Sequence, residues 1–232
     1  MPINQKRRLT RRLSLNFISA LLLLILASAS QTARANEIAI WNFNDSNLIV
    51  DHGTGTLTSN LVPANILFAA GTTNNSRLGD TAGQSLSLQG GTSNVNNGRQ
   101  ITFNVSTLGF TDIIVSFATQ GTSTGFNSNQ FQYSLDGITF VDFAPPYMPA
   151  TAFGSVPLVF SLASIVGLND NVNAAFRIVF NGASSSTGTN RIDNFVVEGT
   201  PSSVPEPGTG ILLLSGLSIF YRYRKTKRAA AK

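Results

Sequence analysis

The chain has 232 residues, 12% of them charged against ~25% in an ordinary soluble domain, and its polar surface is mostly neutral because Ser, Thr and Asn together number 69. It has no cysteine and one histidine, which excludes a disulfide framework, a Cys-based zinc site, an iron–sulfur cluster and a cysteine nucleophile. The formal charge of +5 sits at the two ends: residues 36–220 hold four arginines, no lysine and all 11 acids, a net −7. A body of that sign repels phosphate, so nucleic acid is excluded as a partner.

Residues 1–35 read as a secretory signal peptide. Lys6, Arg7, Arg8, Arg11 and Arg12 precede an apolar run over 13–29, and Ala33 and Ala35 put small residues where signal peptidase requires them. Cleavage is expected between Ala35 and Asn36.

Residues 36–200 read as one all-β domain, a β-sandwich. Short alternating or β-branched runs separated by Gly, Asn, Ser and Thr clusters predict strands near 37–43, 85–89, 101–105, 112–118, 130–135, 138–143, 157–161, 174–181 and 192–198. Phe131, Tyr133 and Leu135 alternate with Gln130, Gln132 and Ser134, as a half-buried strand requires. Asp136-Gly137 predicts a two-residue hairpin. Phe176, Ile178 and Phe180 alternate with Ala175, Arg177 and Val179. Ile113-Ile114-Val115 and Phe195-Val196-Val197 do not alternate, which suits strands covered on both faces. Residues 162–168 predict one short helix. Most of the chain's sixteen phenylalanines are expected to point into the sandwich interior. The 131–140 segment (FQYSLDGITF) and the 191–197 segment (RIDNFVV) resemble the hairpin and closing strand of galactose-binding-like jelly rolls, and 40–44 (IWNFN) resembles the opening strand of many secreted proteins. The resemblance implies a jelly-roll sandwich.

Catalytic motifs are sparse. Gly121-Thr122-Ser123-Thr124-Gly125 matches the nucleophile-elbow pattern but precedes a predicted strand rather than the helix that chemistry needs. His52, beside Asp51, reads as a solvated loop histidine. A glycosidase pair would have to use Glu37 and Glu198, near the two ends of the domain. No cofactor is expected. Calcium is the least implausible metal, since Asp45, Asp51, Asp80 and Asp193 with neighbouring asparagines could supply some of its oxygen ligands. A sugar-binding face would need exposed aromatics beside amides, and Tyr147 and Phe126 are the candidate contacts. Trp41 reads as core.

The C-terminal end carries a tripartite pattern. Val204, Pro205, Glu206 and Pro207 form an extended segment with a single carboxylate. An apolar stretch over about 209–221 follows, then a basic tail over 222–232. About 12 apolar residues span roughly 18 Å, short of the ~30 Å of a hydrocarbon core. This pattern over 201–228 resembles the PEP-CTERM sorting signal of bacterial secreted proteins. The resemblance implies that the apolar stretch inserts transiently as a short transmembrane helix, that an exosortase-like membrane protease or transpeptidase recognises the motif, and that the protein ends at the cell surface or outside the cell. It further implies a link to the exopolysaccharide or biofilm matrix. The sequence therefore predicts an exported, non-enzymatic surface or matrix protein, with a carbohydrate-binding, lectin-like module as the alternative and a secreted hydrolase as the third reading.

Overall fold

A computed structural model describes residues 35–202. Within them twelve strands form two antiparallel sheets. The seven-stranded sheet runs β10 (Leu158–Ser161), β7 (Phe110–Gly121), β12 (Thr189–Pro201), β1 (Asn36–Trp41), β2 (His52–Gly53), with β5 (Gln84–Gln89) also paired to β12 and β4 (Ile66–Ala70) paired to β5. The five-stranded sheet runs β3 (Thr56–Ser59), β6 (Arg99–Asn104), β11 (Ala175–Asn181), β8 (Ser128–Ser134), β9 (Phe140–Asp142). Among the described residues no helix is long and apolar enough to cross a membrane. The chain divides into two units, to Pro201 and from Ser202. The signal-peptide residues through Arg34, the sorting motif, the apolar stretch and the basic tail lie outside the described residues.

Phenylalanines from both sheets close the core. Phe103 of β6 stacks on Phe195 of β12, with ring centroids 3.5 Å apart, and Trp41 meets Phe103 edge-on at 5.0 Å. Phe131 of β8 stacks on Phe160 of β10 at 4.1 Å. Such rings each remove a large apolar area from water, and their pairing adds about 0.5–1.5 kcal/mol beyond burial. Phe176, Ile178 and Phe180 turn inward as their alternation requires, and Arg177 and Val179 turn outward.

The non-alternating run in β12 has a specific cause. Phe195 and Val197 belong to the core, whereas Val196 lies outside it yet is fully buried. The segment between β4 and β5, residues 71–83, straps the outer face of this sheet. Asn75 Nδ2 donates to Ser116 Oγ and to the Asn194 carbonyl, and Asn194 Nδ2 donates to the carbonyls of Thr72 and Asn74. Asn194 sits at φ 48° where the β12–β7 register shifts, so the bulge turns its side chain toward the strap.

Several expectations need correction. β2, β3 and β4 carry no strand signal in the sequence reading. The 162–168 segment is not an α-helix but a single 3₁₀ turn over Val166–Leu168. Asp136-Gly137 is not a two-residue hairpin: Ser134 pairs with Phe140, which leaves five residues in the connection. The Asp136 carboxylate accepts from the backbone N–H groups of Thr139 and Ile138 and from the Ser134 hydroxyl, and these bonds hold its pKa far below the usual carboxylate range. Gly137, at φ 74°, completes that turn. Leu135 is then partly exposed, lying against Gly167, instead of joining Phe131 in the core.

Candidate functional site

Of the sugar contacts expected from the sequence, Phe126 is buried and Tyr147 is half-buried with its hydroxyl turned inward. Phe126 is 1% exposed and packs on Phe180 at 5.3 Å. Tyr147 exchanges both backbone hydrogen bonds with Asn129, which draws its ring inward against Phe117 and Phe160. Burial of its hydroxyl, which has no protein partner, pushes its pKa far above the ordinary value. Trp41 is core, as expected.

The carboxylates divide into structural sets. Glu37 and Glu198 do come together, opposite each other across β1 and β12, but Arg77 from the strap lies between them, 2.6 Å from Glu198 and 3.9 Å from Glu37. A clamped pair of this kind has no free acid and base. His52 is in a strand, not a loop, pairing with Ile40, and its Nε2 lies 3.9 Å from Asp80 Oδ2. Asp80 accepts from Asn42 Nδ2 and Asp51 accepts from the Asn42 backbone N–H; burial raises the Asp51 pKa. Asp45 accepts from Asn47, and Asp193 from the backbone N–H groups of Thr72 and Asn194. The four expected calcium ligands thus accept hydrogen bonds from nearby turns and from distant segments of the fold, and among the described residues no group of three or more acidic, histidine or cysteine side chains is placed to hold a metal ion. Ser123 lies in a turn closed by Gly125 N–H donating to the Thr122 carbonyl, and strand β8 follows.

The remaining candidate is the outer face of the five-stranded sheet. The strap covers the other sheet; here the side chains bond to each other. Register places Thr58, Thr102, Arg177, Gln132 and Asp142 in one row across β3, β6, β11, β8 and β9. A second row holds Thr56, Asn104, Ala175, Ser134 and Phe140, of which Ala175 and Ser134 are fully buried. Each step across a row is about 4.8 Å, the strand spacing. Within the first row, Arg177 Nε donates to Gln132 Oε1, and Gln132 Nε2 donates to Asp142 Oδ1 at 2.6 Å. The guanidinium carbon lies 3.8 Å from the centre of the Phe140 ring, a cation–π contact that fixes its plane. Burial lowers the Arg177 pKa and Asp142 opposes that, but an arginine remains charged at neutral pH.

The ladder leaves unspent groups. Among the described residues the two terminal nitrogens of Arg177 have no protein acceptor, and one Asp142 oxygen has no protein donor. Up to four N–H donors and a carboxylate acceptor therefore face solvent on rotamers already locked by neighbours. Where β6 and β8 end and β11 begins lies an open polar depression of about 230 Å³ lined by residues including Asn104, Ser106, Asp136, Val172 and Asn173. Arg177, Gln132, Asp142 and Phe140 are not singled out as site residues by the sequence alone. Outward alternation of Gln130, Gln132 and Arg177 was the available signal, but their alignment depends on strand order.

No family model matches the chain, and no curated protein matches it. Solved structures do resemble it. The CBM22-1 xylan-binding domain of Paenibacillus barcinonensis Xyn10C has 8% identity, covering 75% of this chain and all of that one, at TM-score 0.45. TmCBM61 in complex with β-1,4-galactotriose has 11% identity over 72% of this chain and 98% of that one, at TM-score 0.40. Domain 4 of AbnA, an extracellular arabinanase of Geobacillus stearothermophilus, in complex with arabinotriose, has 13% identity over 73% and 95%, at TM-score 0.41. At these identities and TM-scores the likenesses say nothing about a ligand.

Proposed function

We propose that the chain is an exported, non-catalytic module that binds polysaccharide on the outer face of its five-stranded sheet. One observation carries the reading: the Arg177–Gln132–Asp142 ladder, braced by Phe140, presents preorganised donors and an acceptor along an uncovered row. Sugar hydroxyls both donate and accept, so they match a row that offers both. Holding the donors in place beforehand lowers the ordering cost that binding otherwise carries. The chemistry fits saturation of hydroxyls rather than bond cleavage, since among the described residues no free pair of acids borders the row.

The export reading belongs to the same proposal. Signal peptidase cuts before Asn36, the apolar stretch inserts transiently, and an exosortase-like enzyme recognises Val204 to Pro207 and releases the domain to the cell surface or extracellular matrix. The sequence pattern at both ends supports this. A bound polysaccharide would then be a component of that matrix.

Affinity electrophoresis through gels containing neutral polysaccharides tests the binding claim. Retardation by at least one polymer is expected. Arg177→Ala removes charge-assisted hydrogen bonds worth about 1.5–3 kcal/mol, so affinity should fall roughly 10- to 100-fold. Arg191→Ala, on the other sheet, should leave retardation unchanged. Equal retardation of wild type and Arg177→Ala overturns the assignment of the face.

A further inference from the structure

The two ends of the described domain emerge at one end of the sandwich. Asn36, where β1 begins, pairs with Gly199, and Pro201, where β12 stops, pairs with Phe110. Three loops meet at that end: 105–109 after β6, 135–139 between β8 and β9, and 162–174 between β10 and β11. They interlock. Thr107 Oγ1 donates to the Leu168 carbonyl, Asn171 Nδ2 donates to the carbonyls of Leu135 and Gly167, and Gly109 N–H donates to Asp170 Oδ1. Their tips are apolar and exposed: Ile138 is 84% exposed, Val166 73%, Val172 64% and Leu108 61%. Exposed apolar side chains gathered on fixed loops mark a contact surface.

Chain length says what that surface meets. Seven residues, 202–208, separate Pro201 from the apolar stretch that begins at about 209. Fully extended they reach at most about 25 Å. On the N-terminal side the predicted signal peptide adjoins Asn36 directly. Two membrane-seeking segments therefore depart from the same end, and that end stays close to the bilayer while either is inserted.

We propose that this end of the sandwich is a lipid-contact surface, with Leu108, Ile138, Val166 and Val172 resting in the headgroup region of the membrane. The proposal rests on insertion of the 209–221 segment. Its charge sets a preference. The three loops and the start of β7 carry Asp112, Asp136 and Asp170 and no Lys or Arg, so neutral headgroups are favoured over anionic ones, the reverse of a polybasic surface. The strands run from this end to the other, so the polar rows across them lie parallel to the membrane plane.

The absence of cysteine makes the test direct. In the full chain, Leu108→Cys and Val172→Cys, with Thr122→Cys at the opposite end as control, are labelled with an environment-sensitive fluorophore. Each is reconstituted into phosphatidylcholine vesicles with and without brominated acyl chains. The proposal predicts flotation with the vesicles, blue-shifted emission and loss of emission to bromine at 108 and 172, none at 122, and a weaker effect when phosphatidylglycerol is added. Flotation with water-like, unquenched probes at 108 and 172 overturns the lipid contact and leaves insertion standing. A blue shift without bromine quenching assigns the surface to another protein copy and overturns it too. Failure to float removes insertion and this proposal together.

Discussion

Asp193 should make stability fall with pH in a range where most carboxylates no longer titrate. It sits with no solvent exposure at the β12 bulge, and its carboxylate accepts hydrogen bonds from two backbone N–H groups, those of Thr72 and Asn194. Burial outweighs these bonds and pushes its pKa from the ordinary 3.8 up to about 7. Between those values the folded chain keeps a proton that the unfolded chain has released. Stability from this group is therefore complete below the ordinary carboxylate pKa and is lost as pH rises through about 7. At about 1.4 kcal/mol for each tenfold in proton affinity, the interval amounts to about 4 kcal/mol. Urea unfolding followed by the fluorescence of Trp41, the sole tryptophan and fully buried, reads it across about pH 4 to pH 8. Asp193→Asn removes the titrating group. It also turns an amide N–H toward a backbone N–H, at a cost of about 1–3 kcal/mol at acid pH. Any slope from Asp51 is common to both proteins and cancels in their difference. Wild type and Asp193→Asn should therefore converge or cross as pH rises. Parallel profiles would refute the burial argument.

Phe195→Ala should cost about 3–5 kcal/mol in the same unfolding assay, because it empties the site between Phe103, Phe117 and Trp41; a loss below about 1 kcal/mol would show that the core collapses to refill it. Gly71→Ala places a methyl 2.2 Å from the Ala82 carbonyl oxygen and 2.4 Å from Asp193 Oδ2, so the strap must shift. Limited proteolysis should then cut within 71–83 faster than in wild type, with the rest of the domain still resistant. Glu206→Ala should block maturation, seen as retention of a larger, membrane-associated form; unchanged release would show that the motif is not read.

The strands with strict alternation were legible because one face of each is core. β6, β8 and β11 fall within one or two residues of where Ile101, Phe131 and Phe176 place them. β2 and β3 were not legible, since two residues and a Thr-Leu-Thr-Ser run carry too little apolar period. The 162–168 segment has helical spacing, but Ser164 and Gly167 interrupt it and the carbonyl of Leu168 is engaged by Thr107 instead. Tyr147 looked exposed because Pro145 and Pro146 precede it. Its backbone pairing with Asn129, eighteen residues away, reverses that and is invisible locally. The site itself was half written in the sequence: alternation points Gln132 and Arg177 outward. What joins them to Asp142 and Phe140 is the strand order β11-β8-β9 and a register that only tertiary packing sets.

The account turns on where a glycan touches the domain. Backbone amide chemical shifts of the ¹⁵N-labelled domain, recorded while a bound oligosaccharide is titrated in, measure that directly. The account predicts perturbations concentrated on Thr102, Arg177, Gln132, Phe140 and Asp142, with the strap over 71–83 unmoved. Perturbations confined to the strap or to the loops joining the strands, with β11 and β8 silent, would contradict it.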